Sequence, residues 1–159
     1  SSTPSSPSAE AVLTDGDHLR GLLGTYCRLI DAGDFAGVGQ LMADAALMTE
    51  DGSVIATGAD EVAALYSDIV TLHDDGTPGT QHVVATTAFE ELDGGAIRAR
   101  SAYLVFQAAA ELPLQPIITG SYGDTFEPDS AGTWRFVERR FGIGRSGDLT
   151  HHLVPGVIG

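Results

Sequence analysis

Four stretches of alternating, strand-forming residues fill the second half of this chain, and the short polar turns between them dictate how they can pair. They run from Gln81 to Leu92, Ala96 to Ala108, Ile117 to Phe126 and Thr133 to Ile143. Asp93-Gly94-Gly95 and the Pro-Asp-Ser-Ala-Gly turn at residues 128 to 132 are too short for a helical crossover, so consecutive strands must fold back as antiparallel neighbours. Pro113 and Pro116 bracket a loop expected between the two hairpins. Gly120 and Gly123 fall within the third strand, where a long antiparallel sheet is expected to bend.

The first half carries helical periodicity instead. From a cap at Thr14 or Asp15, the residues Leu19, Leu22, Leu23, Tyr26 and Ile30 form one apolar stripe, and Gly33 stops the helix. Asp34 caps a short helix from Phe35 to Met42, with Phe35 and Leu41 facing inward. A hairpin follows, Ala46 to Thr49 and Val54 to Thr57 around Glu50-Asp51-Gly52-Ser53. Gly58 leads into a third helix, Ala59 to Leu72, with Val62, Leu65, Tyr66 and Ile69 on one side; His73 to Thr80 is a loop by composition. The order α-α-β-β-α-β-β-β-β defines an α+β fold, a curved antiparallel sheet closed by three helices. At 159 residues one core is expected. Residues 1–13 read as a disordered leader, 14–153 as the single domain and 154–159 as a tail.

Charge and composition remove whole classes of function. With 22 acidic residues against 8 basic ones, a formal charge of −14, the surface repels phosphate backbones and anionic lipid headgroups, so neither nucleic acid nor membrane is an expected partner. All eight basic residues are Arg, so Schiff-base chemistry and a phosphate-loop lysine are excluded. Asn is absent, and with it any N-glycosylation acceptor. Cys27, the one cysteine, excludes an internal disulfide and multi-cysteine metal sites. No apolar run approaches the roughly 20 residues of a membrane span, and the start lacks signal-peptide order, so a cytoplasmic protein is expected. No spaced His or carboxylate set reads as a metal site, and no nucleotide-binding fingerprint occurs.

Few polar residues suit chemistry inside a bent sheet. His82 opens a strand with apolar neighbours after it; imidazole is the side chain that exchanges protons near neutral pH, though a structural histidine at a strand edge reads as well. Tyr26 lies on the buried stripe, where its hydroxyl needs a partner, as a core tyrosine or a donor to a ligand. Asp31 ends the first helix, where a carboxylate is disfavoured by the dipole; it reads either as a solvated turn residue or as one placed to orient a histidine. Positions 26 and 31 differ by about 140° around a helix, so the two share a pocket only if the helix ends between them. Small residues beside Tyr103 and Phe106 suit a cavity lined by aromatics. His151 and His152 are adjacent and point to opposite sides, so they make no metal pair.

Several short motifs in this order carry a family likeness. Tyr26, Ile30-Asp31-Ala32-Gly33-Asp34-Phe35, Gly58, Thr80-Gln81-His82, Gly120-Ser121-Tyr122-Gly123-Asp124, Trp134-Arg135-Phe136 and Gly147-Asp148-Leu149-Thr150 together resemble the SnoaL-like branch of the nuclear transport factor 2-like superfamily. The resemblance spans about residues 15 to 153. It implies a cone-shaped α+β barrel with a deep apolar pocket, commonly as a homodimer paired across the sheet. Polyketide cyclases, scytalone dehydratase and bile-acid dehydratase in this group imply cofactor-free acid/base chemistry. Carried over by position, His82 is the general base, Asp31 its orienting partner and Tyr26 the donor to a substrate carbonyl, with Tyr122, Trp134 and Thr86 near the substrate. Relatives often carry Asn where this chain has Thr86. The expected activity is dehydration, isomerisation or cyclisation of an apolar ring-bearing carbonyl compound in bacterial secondary metabolism, such as antibiotic biosynthesis. A non-catalytic ligand-binding module and a structural subunit of a larger enzyme are the rival readings.

Overall fold

The computed structural model describes residues 12–157. Most of the expected leader, and the last two positions of the expected tail, lie outside that range.

Helix α1 (Asp15–Asp31) starts where its cap chemistry requires. Thr14 Oγ1 accepts from the Asp17 backbone N–H, and the Asp17 carboxylate accepts from the Thr14 backbone N–H at 2.8 Å, so two orphan donors are satisfied reciprocally. Its stripe buries Leu19, Leu23, Tyr26, Cys27 and Ile30, while Leu22 is half-buried. Gly33 turns the chain at φ +72°; a Cβ there would meet the Gly76 carbonyl oxygen at 2.5 Å. Asp34 accepts from the Gly37 N–H and caps α2 (Phe35–Leu41). Helix α3 (Gly58–Ile69) stops three residues before the expected Leu72, because Val70 turns extended and bridges to Leu153.

The strands are β1 (Ala46–Thr49), β2 (Val54–Thr57), β3 (Thr80–Glu91), β4 (Ile97–Ala109), β5 (Leu112–Pro128) and β6 (Trp134–Ser146). They form one sheet in the order β2-β1-β6-β5-β4-β3. All pairs are antiparallel as expected except β1 with β6, which is parallel and joins the first hairpin to the last strand. The loop expected around Pro113 and Pro116 is mostly strand: β5 begins at Leu112. Both prolines, which lack a ladder donor, are accommodated because β4 and β5 slip register between Val105 and Phe106 and again between Gln107 and Ala109. On β4 the alternation resolves cleanly. Ala99, Ser101, Tyr103, Val105 and Gln107 are buried against the helices, and Arg98, Arg100, Ala102, Leu104 and Phe106 take the outer face.

Candidate active site

Sheet and helices leave between them a cavity of about 290 Å³. Tyr26 and Ile30 of α1, Leu65, Tyr66 and Ile69 of α3, and Tyr103, Val105, Ile118, Tyr122 and Phe141 from the strands wall it. Ile55, Ile143 and Val157, each about half exposed, mark its mouth. The polar groups entering this apolar space are two imidazoles, His82 and His152, and the tyrosine hydroxyls. That is the composition of a small-molecule site: an apolar lining with a few convergent polar groups.

His82 is held at its second nitrogen and at its backbone by one carboxylate. Asp31 Oδ1 accepts from His82 Nδ1 at 2.6 Å, and Asp31 Oδ2 accepts from the His82 backbone N–H at 2.8 Å. Thr80 Oγ1 donates to Oδ1 at 2.9 Å. A carboxylate only accepts, so the Nδ1 of His82 carries a proton and Nε2 is the nitrogen left for a ligand. The side chains are 7% and 20% exposed, so water competes little for this pair. Helix α1 runs through Asp31 rather than ending before it, and Asp31 does not line the cavity. It acts from the side: Tyr26 faces the hollow directly, and His82 bridges the angular gap between them.

The Tyr26 ring stands edge-on to His82, with centroids 6.2 Å apart. Its hydroxyl shares a 2.9 Å hydrogen bond with that of Tyr66. Burial raises both phenols well above their ordinary range, so they stay protonated and able to donate. Behind them lies a fully buried ion pair. Arg139 donates through Nε and Nη2 to the two oxygens of Asp124 at 2.6 and 2.9 Å. Its guanidinium sits 4.2 Å from the Tyr26 ring centre and 3.9 Å from that of Tyr122. This cation pulls both phenols in the direction opposite to burial.

The expected substrate-binding residues divide. Tyr103 and Tyr122 line the cavity, stacked with centroids 4.2 Å apart. Phe106 does not, because it alternates with the buried Val105 and Gln107 and lies on the outer face. Thr86 is exposed at a β-bulge, with φ +22°, so the extra residue turns it away from His82. Trp134 lies elsewhere, its Nε1–H donating to Asp15 at the start of α1. The sequence placed Tyr66 on the α3 stripe without a role, weighed His152 only as half of a metal pair, and did not single out Arg139. Phe136 and Arg139 both point inward although three residues apart, because a register shift between Thr125 and Phe126 leaves Val137 unpaired. Simple alternation puts Arg139 outside.

Among the described residues no group of three or more His, Cys, Asp or Glu side chains is placed to hold a metal ion, and no helix is long and apolar enough to cross a membrane.

Fold and hollow define a nuclear transport factor 2-like cone: a curved sheet wrapped around a helix-closed cavity. The model of the SnoaL-like domain matches residues 11–140, and the chain belongs to that family. Among solved structures, ActVI-ORFA from Streptomyces coelicolor is 16% identical, with a TM-score of 0.63, over 79% of this chain and 94% of its own. Aln2 from another Streptomyces strain is 17% identical, TM-score 0.63, over 84% of this chain and 94% of its own. An Asp-to-Asn variant of Rv3472 from Mycobacterium tuberculosis, a protein of unknown function, is 26% identical, TM-score 0.62, over 80% of this chain and 75% of its own. No curated protein sequence matches this chain.

Proposed function

We propose that this protein is a cofactor-independent acid/base enzyme acting on an uncharged ring-bearing carbonyl compound, with His82 as general base, Asp31 as its positioning residue and Tyr26 as donor to the carbonyl oxygen. The observation that carries this reading is the short Asp31–His82 hydrogen bond beside an unfilled apolar cavity. His82 Nε2 removes the proton next to the carbonyl. Tyr66 donates to the Tyr26 oxygen, which frees the Tyr26 proton for the enolate oxygen that develops. The site can lead from that enolate to dehydration, isomerisation or ring closure. A purely structural subunit fits an unfilled hollow poorly, and a passive binding module has no need of a carboxylate-held imidazole. A homodimer, cytoplasmic residence and a place in bacterial secondary metabolism belong to the same reading.

The chemistry can be tested without the natural substrate. In D2O, the protein should catalyse exchange of the protons beside the carbonyl of 2-tetralone, followed by proton NMR. His82→Ala should lower that rate by about 100-fold or more. Exchange that survives the substitution undiminished rules out His82 as the base.

A further inference from the structure

The largest fully buried side chain among the described residues is a cation, Arg139. It stands directly across from Asp124 in the β5–β6 ladder, and the carboxylate takes two of its nitrogens. The third, Nη1, has no hydrogen-bond partner among the described residues. Folding alone gives little reason for such a group, because apolar side chains of similar volume often replace a buried ion pair without loss of stability. What the guanidinium does touch is aromatic. Its central carbon lies 4.2 Å from the Tyr26 ring centre and 3.9 Å from that of Tyr122. Those two rings meet at 83°, with centroids 5.9 Å apart, so the planar cation fills the corner between two nearly perpendicular rings. Tyr103 stacks on Tyr122 at 4.2 Å and 13°. Two partners that close to one ring centre cannot share a face, so Tyr103 takes the other one and the three rings are held as a block around Arg139. Arg139 does not itself line the cavity. It reaches a ligand only through the rings that do.

We propose that Arg139 is a positioning residue for the proton donor: it holds the Tyr26 ring against the cavity and stabilises, from beside the ring, the negative character the phenol takes on as its hydroxyl donates to an enolate oxygen. This assignment rests on the reading of Tyr26 as the donor. No proton passes to or from Arg139. A cation on a ring face is attracted to the π electrons, and the attraction grows as the ring becomes richer in electrons. The Tyr26 ring does so only when charge develops on the ligand oxygen, so the guanidinium favours the transition state over the bound ketone. Burial raises the Tyr26 phenol and Arg139 opposes it, which is the direction this role requires. Asp124 balances the cation at longer range, so an apolar cavity can keep a guanidinium behind its wall without drawing in anions.

The test follows exchange of the protons beside the carbonyl of 2-tetralone in D2O over a range of ketone concentrations, which separates the saturating rate from KM. Arg139→Met combined with Asp124→Leu removes both charges together and leaves no unpaired charge buried. Its saturating rate should fall about 10-fold, with KM changed by less than about twofold. A saturating rate within about twofold of the unaltered protein overturns the proposal. So does a fall matched by an equal rise in KM, the mark of a displaced ring or a collapsed cavity. The route through Tyr26 has its own check: in a Tyr26→Phe background the same paired replacement should cost nothing further, and a second loss of about 10-fold there overturns the proposal. If the paired replacement prevents folding, Arg139→Lys takes its place. An ammonium can pair with Asp124 but has no planar face to lay on two rings, so a fall in saturating rate at constant KM is expected and an unchanged rate overturns the proposal. Undiminished exchange in Tyr26→Phe alone is a different result: it removes Tyr26 as donor, and the role of Arg139 with it.

Discussion

Asp31 sits at the end of α1 where the helix dipole disfavours a carboxylate by roughly 0.3–1 kcal/mol, and three donors from the start of β3 offset that cost. Among the described residues none gives the His152 Nδ1 such compensation, and its effect on stability should be readable in pH. Its folded-state pKa is about 4 against an ordinary 6.5, so between those values the unfolded chain binds a proton that the folded one refuses. Stability must then rise with pH across this window and lose that contribution as pH falls from about 6.5 to about 4; above the window His152 has no effect on the slope. The full loss is about 3 kcal/mol. His152→Leu removes the group, so denaturant unfolding should show the variant gaining on the unaltered protein by up to that amount on acidification. His82, His73 and Asp31, the titrating neighbours, are present in both proteins and cancel to first order. Parallel pH profiles for the two proteins would show that His152 is not held neutral.

At the scale of strands, one glycine governs where an aromatic wall can stand. Gly120 of β5 lies opposite Tyr103 of β4, and a Cβ there would come 2.5 Å from the Tyr103 ring while also striking the Gly142 carbonyl oxygen. The ring occupies the space a side chain would take, and its hydroxyl donates to that same Gly142 oxygen at 3.2 Å. Gly120→Ala should therefore destabilise the protein by about 1–3 kcal/mol in denaturant unfolding and weaken 2-tetralone binding, since Tyr103 must leave its stack on Tyr122. An alanine variant of unchanged stability would mean that the strands can part at no cost. The sequence showed Gly120 as a mid-strand irregularity but not what filled the gap. Local signals carried far: the Thr14 cap, the α1 stripe and the long hairpins are all set by near neighbours. Non-local pairing did not. Nothing near Ala46 announces a parallel partner in β6, and the bulges at Thr86 and Val137 reverse which side chains face inward after them. For the same reason Arg139 was hidden, and Thr86 was carried to the substrate by analogy when its backbone turns it outward. His152 lies past the last periodic segment, where no pattern assigns a face.

The whole molecule sets a charge condition on whatever enters the cone. A formal charge of −14 surrounds a cavity whose mouth is apolar. The cation nearest the tyrosines, Arg139, is fully buried and already neutralised by Asp124. An anionic ligand therefore meets repulsion from the surface without a matching charge from Arg139, whereas a neutral one meets neither. Ionic strength separates the two cases, because the screening length shrinks from about 30 Å at 0.01 M salt to about 3 Å at 1 M. With 2-naphthol and 2-naphthoate as matched probes at pH 7, calorimetry should find the neutral compound bound almost equally across that range. The carboxylate should bind more weakly in low salt and gain severalfold as salt is added. Tighter binding of the carboxylate at low salt would require a cation inside the site and would overturn the assignment of an uncharged substrate. The reverse pattern would link the acidic surface to selection at the mouth, since a net charge of −14 would hold anionic metabolites back from the imidazoles and leave neutral rings free to enter.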